Sequence, residues 1–193
     1  KGKKTVKSKF YPINKINRLD KKKLIVIKND LKNIISIRKK LFNFDFKGPK
    51  IMGILNVTPD SFSDGGLFLN KQKAFNQANL MLKNGASIID IGGESTRPGS
   101  VTINEKVEWK RIKSIIIKLK KKFPKTTLSL DSRKSYVIKK GIENKVDIIN
   151  DVSGLNFDKN TFNVINSNRI PFILHHMQGT PNTMQKNPKY NDV

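Results

Sequence analysis

The stretch Ile51-Met52-Gly53-Ile54-Leu55-Asn56-Val57-Thr58-Pro59-Asp60-Ser61-Phe62-Ser63-Asp64-Gly65-Gly66 begins as an apolar run and ends as a long polar loop. A short, nearly continuous apolar run is how a strand buried on both faces reads, and such strands build parallel sheets covered by helices. No packing need explains the Asn, Asp, Ser, Thr and paired Gly that follow, so the junction at Asn56 is a candidate for chemistry. The arrangement recurs where Ser87-Ile88-Ile89-Asp90-Ile91 empties into Gly92-Gly93-Glu94-Ser95-Thr96-Arg97-Pro98-Gly99-Ser100. Two such loops in tandem point to one site.

From residue 50 onward, strand-like runs at 51–57, 87–91, 127–131, 146–150 and 171–177 alternate with segments of helical periodicity, the pattern of βα units. The first helix puts Phe75, Ala78, Met81 and Leu82 on one face and stops at Gly85, where Gly accepts a left-handed turn cheaply. The second aligns Trp109, Ile112, Ile115, Ile116 and Leu119 against a Lys-rich opposite face, which makes Trp109 a packing residue. Each strand ends in a polar residue: Asn56, Asp90, Asp131, Asn150 and the His175-His176 pair. The C-terminal strand ends of a (β/α)8 barrel form one active-site face, so all five would converge there. An open doubly wound sheet gathers ligands only near its switch point. The expected fold class is therefore α/β, a TIM (β/α)8 barrel, incomplete as given with about five βα units. The pattern divides the chain into a basic N-terminal extension of unknown role, residues 1–49, and a barrel portion, residues 50–193, with a linker at 43–49. Within the extension, residues 23–27 read as a short strand and 31–41 as an amphipathic helix.

With 36% apolar residues and no uninterrupted apolar stretch of about 18, the chain reads as a globular protein without a membrane span. It contains no Cys, which excludes disulfides and thiolate metal sites and fits a cytoplasmic location. The missing initiator Met and the absence of a leader pattern suggest a fragment at the N-terminal end. A formal charge of +24 invites a basic nucleic-acid-binding module as an alternative. Residues 1–50 carry 17 Lys and Arg against three Asp, a net +14, and 33 of the 39 basic residues in the chain are Lys. That is the signature of AT-biased coding on exposed positions more than of a phosphate-reading surface, so no nucleic-acid partner is expected.

The two polar loops, in this order, resemble those of the dihydropteroate synthase family, and weaker similarity runs from about Lys50 to Val193. The resemblance implies a pterin-binding barrel enzyme of folate biosynthesis. This transferase condenses 6-hydroxymethyl-7,8-dihydropterin diphosphate with p-aminobenzoate to 7,8-dihydropteroate and releases pyrophosphate. It also implies a homodimer when complete and an inactive fragment when not. Alternatives that keep the barrel are a pterin-dependent methyltransferase-like protein or an inactive paralogue.

Carried onto this sequence, the resemblance assigns Asn56 to catalysis and to Mg2+, a hard cation that takes neutral oxygen ligands and shares itself with substrate phosphates. It assigns Thr96 and Arg97 to catalysis and to binding an anionic oxygen cluster through charge-assisted hydrogen bonds. Thr96 and Pro98 would also border p-aminobenzoate. Asp131 and Asn150 match pterin-contacting positions, and a carboxylate beside an amide suits the donor edge of a 2-amino-4-oxo ring. Met177, in His176-Met177-Gln178-Gly179, would lie against the pterin face. Phe62 reads as part of a mobile lid hinged at Gly65-Gly66. Asp90 and Ser95 are expected to support the loops. Ser132-Arg133-Lys134-Ser135 resembles a motif that the family carries after a later strand; following the third strand, it reads as chance in a Lys-rich chain.

Overall fold

The computed structural model describes residues 12–36, 48–58, 67–96, 100–179, 183 and 187–190. The lid residue Phe62, the Gly65-Gly66 hinge, Arg97, Pro98 and most of the 43–49 linker lie outside them. The chain falls into two compact units, residues 1–39 and 40–193.

In the first unit a 3-10 turn, Ile13–Arg18, precedes helix α1, Lys21–Ile35. Residues 23–27, expected to be a strand, are helical. Asp20 caps the helix by accepting the Lys23 backbone N–H at 3.0 Å. Leu24, Ile27 and Leu31 then fall at helical spacing on one partly buried side. A cap and a 3.6-residue stripe outweigh the strand preference of the short run Leu24-Ile25-Val26-Ile27. The helix therefore starts about ten residues before the expected one.

The second unit alternates strand and helix: β1 Met52–Asn56, α2 Leu67–Lys83, β2 Ile88–Gly92, α3 Glu105–Lys122, β3 Thr127–Asp131, α4 Ser135–Glu143, β4 Ile148–Asp151, α5 Thr161–Asn168 and β5 Phe172–Leu174. All neighbouring strands are parallel, in the order β1-β2-β3-β4-β5. Since parallel crossovers are right-handed, an order that never reverses keeps every helix on one face of the sheet. A doubly wound fold needs a reversal, so the sheet is that of a barrel, five of the eight strands of a (β/α)8 architecture.

The core lies between the sheet and that helix layer. Leu55, Ile89, Ile91, Leu128, Leu130 and Ile149 point outward from the strands and are at most 1% exposed. They meet Ala74, Phe75 and Ala78 of α2, Ile112, Ile115, Ile116 and Leu119 of α3, and Val137 and Ile138 of α4. Trp109 is buried in the same cluster, as the stripe of α3 predicted. Two glycines allow close approach: a Cβ at Gly53 would stand 2.7 Å from Met81 Sδ, and one at Gly141 would overlap Leu130. Gly85 ends the α2 turn at φ +96°, as expected. Residues 52, 54 and 56 face the other way, into the barrel interior, where Ile54 is 63% exposed.

Ile112 is fully buried between α3 and β2, whereas Ile117 on the same helix is exposed. Ile112→Ala is expected to lower stability by about 2–5 kcal/mol in urea unfolding. Ile117→Ala should stay within about 0.5 kcal/mol. Equal costs would mean that α3 does not present this face to the sheet.

Candidate active site

The register pairs Asn56 with Gly92, Gly92 with Asp131, Asp131 with Asn150 and Asn150 with Ile173. Residues paired across a parallel sheet share a face, so Asn56, Asp131 and Asn150 form one interior rank at the C-terminal strand ends. Gly92 makes the rank possible. A Cβ there would lie 3.2 Å from Asp131 Oδ2 and 3.3 Å from Asn56 Oδ1, so its absence lets these side chains converge over the β2 backbone.

Asp90 does not end β2. That strand continues to Gly92, and Asp90 sits one rank lower, level with Ser129. It is 4% exposed, and its Oδ2 accepts the Asn150 Nδ2 at 3.0 Å. Its Oδ1 and the Ser129 Oγ are buried, and neither has a hydrogen-bond partner among the described residues. Burial pushes the Asp90 carboxyl upward, and the hydrogen bond from the Asn150 amide opposes the shift. The same cause acts more strongly on Asp131: burial, followed by the negative charges of Asp90, Glu108, Asp151 and Glu94, raises it to about 7. Asp151, the last residue of β4, is on the outward face. There it accepts hydrogen bonds from the Ser153 and Leu155 amides and shapes the β4–α5 turn.

Behind the second loop lies a buried ionic cluster. Glu94, 6% exposed, accepts Lys134 Nζ at 2.7 Å and the Ile103 amide at 3.0 Å on Oε1, and Arg133 Nε at 3.0 Å on Oε2. Lys134 Nζ also reaches Glu108 Oε2 at 2.6 Å, and Ser132 Oγ donates to Glu108 Oε1 at 2.6 Å. Glu108 is fully buried, and Lys134 is 5% exposed. Burial works to raise Glu94, but Lys134, the Ile103 amide and Arg133 hold it below the usual carboxylate range. Burial lifts Glu108 above that range despite Lys134 and Ser132. Residues 132–134, read from sequence as a chance match, thus anchor the second loop. Glu94 and Glu108 drew no attention in the sequence because their partners lie 24 to 40 residues away.

Ser95 and Thr96 leave this anchor half-buried, and Ser100 Oγ donates to the Ser95 carbonyl at 2.6 Å. Strand β5 stops at Leu174, so the His175-His176 pair lies beyond it and is exposed, while Met177 is partly buried. Gly154, at φ +57°, brings the β4–α5 turn against the His175 carbonyl, 2.6 Å from where a Cβ would be. Among the described residues no three His, Cys, Asp or Glu side chains are grouped to hold a metal ion.

A strand-end rank of amide and carboxylate groups, flanked by a loop with two hydroxyls, suits a ligand that is a donor at one edge and anionic at the other. The pterin binding enzyme family matches residues 52–193. The chain belongs to this pterin-binding family. It is 42% identical over 151 residues to the dihydropteroate synthase of Escherichia coli (strain K12), an alignment covering 78% of this chain and 53% of that protein. The structure of Yersinia pestis dihydropteroate synthase with a sulfonamide drug superposes with a TM-score of 0.69 at 42% identity, covering 77% of this chain and 54% of that one. The Xanthomonas albilineans dihydropteroate synthase with 4-aminobenzoic acid gives 0.68 at 34% identity, covering 77% and 52%. The chain thus spans about half the length of these relatives.

In this member of the family the raised Asp131 carboxyl ties stability to pH. Its folded value, about 7, exceeds its usual 3.8. The folded state therefore keeps a proton that the unfolded chain loses, and this contribution fades as pH rises from about 4 to 7. Asp131→Asn is expected to be more stable than the parent by on the order of 1–3 kcal/mol above pH 7, with the gap closing toward pH 4. Urea unfolding across that range checks this; a gap independent of pH would contradict it.

Proposed function

We propose that this chain supplies the first five βα units of a dihydropteroate synthase, which joins a pterin diphosphate to p-aminobenzoate and releases pyrophosphate. The single observation that carries the proposal is the rank Asn56, Asp131, Asn150 at the strand ends of a chain 42% identical to dihydropteroate synthase.

Asp131 and Asn150 receive the pterin edge. Asn150 spends its Nδ2 donor on Asp90, which leaves its carbonyl oxygen to accept from the ring, beside the Asp131 carboxyl. Asp90 is thus a support that sets the amide, and Ser95 supports the loop. Thr96 and Arg97 hold the diphosphate, where charge grows as the bond to the pterin methylene breaks. Pro98 and Phe62 border the p-aminobenzoate, and Met177 lies against the pterin. The arylamine is already nucleophilic, so positioning and stabilisation of the leaving group do most of the work.

The donor set suits Mg2+ in one way only. Asn56 is exposed, and its Oδ1 stands near Asp131 across Gly92, which offers too few ligands for an all-protein cage. It fits an ion that keeps waters and takes substrate oxygens. Asn56 would hold that ion, which when bound would help neutralise the departing diphosphate. A cytoplasmic location and a homodimer complete the proposal. No helix among the described residues is long and apolar enough to cross a membrane.

The test uses the full-length gene product, assayed for dihydropteroate formation and pyrophosphate release. Asn56→Ala and Arg97→Ala should each lower kcat/KM by about 100-fold or more with little change in unfolding midpoint, the scale for removing a group that contacts developing charge. Asp131→Asn should chiefly weaken pterin binding, read by calorimetry. Near-normal turnover in both Asn56→Ala and Arg97→Ala would refute these role assignments.

A further inference from the structure

The Glu94 carboxylate ties together the two ends of the loop that leaves β2. Its own position is at the start, and the Ile103 amide that it accepts is at the end, just ahead of α3. Arg133 spans the same two ends, with Nε on Glu94 and Nη2 on Thr102 Oγ1 at 3.0 Å. The segment between them contains Ser95, Thr96 and Arg97. Its backbone is held at two further points, by Arg111 Nη1 on the Gly93 carbonyl at 2.9 Å and by Ser100 Oγ on the Ser95 carbonyl. Below it, a Cβ at Gly93 would stand 2.9 Å from the Glu108 carbonyl, so the loop start is seated directly on α3.

Arginine and lysine next to a proposed diphosphate site invite assignment as phosphate ligands. Here both cations are already engaged. Lys134 is shared between two buried carboxylates, and Arg133 lies over the Phe157 ring at 3.9 Å while paired with Glu94. Two cations face two carboxylates, so the cluster is neutral and offers no surplus positive charge to an anion. Breaking such a buried pair leaves an unpaired charge, so the arrangement is stiff once formed.

We propose that Arg133 and Lys134, acting through Glu94, are positioning residues that fix Ser95 and Thr96, at the start of the second loop, relative to Thr102 and Ile103 at its end, and that they are not themselves anion ligands. This rests on the functional reading above only in taking that loop to bind a diphosphate.

The test is amide hydrogen exchange on the full-length gene product, with inorganic pyrophosphate binding as a second readout. Glu94→Gln is the variant, because it keeps the side-chain shape and leaves Lys134 paired with Glu108. Asp147→Asn is the control: it removes a Lys120 partner at the other end of β3, away from the loop. In Glu94→Gln, exchange of the Ile103 amide and of residues 93–96 should quicken about tenfold or more, while Leu128 and Leu130 keep their protection. Affinity for pyrophosphate should fall about tenfold, the scale of a lost charge-assisted bond. In Asp147→Asn neither should change. Unchanged exchange at Ile103, or an increase spread equally over the strands, would overturn the proposal. If the full-length parent binds no pyrophosphate, the diphosphate reading of the loop fails, while the exchange result still decides whether the clamp exists. If Glu94→Gln does not fold, Arg133→Gln gives the same comparison, since it removes the second span between the loop ends.

Discussion

A parallel sheet fixes which face every side chain takes as soon as its register is set, because alternate residues point to opposite sides and a slip of one would reverse them all. In this protein that register does two things together. It turns Leu55, Ile89, Ile91, Leu128, Leu130 and Ile149 toward the helices, and it turns Asn56, Asp90, Ser129, Asp131 and Asn150 toward the interior. The apolar set drives the pairing by burial; the polar set is carried into place by it and contributes little to the driving force. Losing the outward packing would therefore cost the site its geometry before any site residue was touched.

The two carboxylate groupings near the strand ends are built on opposite terms. Glu94 and Glu108 are matched by Arg133, Lys134 and Ser132, and every charge has a near partner. Among the described residues, Asp90 and Asp131 have no cation paired with them, and Asp90 Oδ1 and Ser129 Oγ lack hydrogen-bond partners. Unsatisfied polar groups in a buried position cost stability, and a fold tolerates them where a ligand is to complete them. The matched cluster keeps the backbone of the second loop in place beside the unmatched one. Rigid support next to an uncompensated pocket is the arrangement that lets binding energy go into holding substrate instead of ordering the protein.

How far the sequence carried this reading differs from element to element, for physical reasons. The five strands were legible because their apolar runs are continuous and bounded by Gly, Pro and polar residues, and the α2 and α3 stripes because their spacing is plainly 3.6. Asn56 and Asp131 were legible as strand ends, whereas Asn150, expected to end β4, is followed by one more strand residue, Asp151. Asp90 was placed one rank too high because Gly92 reads as loop when it is in fact the last paired residue of β2. Residues 23–27 were misread because a β-branched run says nothing of the Asp20 cap before it. The largest omission, the Glu94–Lys134–Glu108 cluster, has no local signature. A Lys in a Lys-rich chain looks solvated, and only the packing of α3 and α4 against the β2 loop shows that this one is not.

That distinction changes what the charge of +24 means for ligand capture. Two cations beneath the second loop, Arg133 and Lys134, are cancelled by Glu94 and Glu108, and burial, reinforced by the neighbouring carboxylates, raises Asp131 to about 7. Under the proposed function, a diphosphate approaching the strand ends would gain no attraction from Arg133 and Lys134, and the exposed lysines would act on it only at longer range, where their pull is screened beyond about 8 Å at physiological ionic strength. The donor edge of a pterin ring would meet Asp131 and Asn150, and its diphosphate would be held by Thr96 and Arg97 in the loop whose two ends Glu94 joins. The contrast between paired and unpaired carboxylates would then favour one orientation of such a substrate.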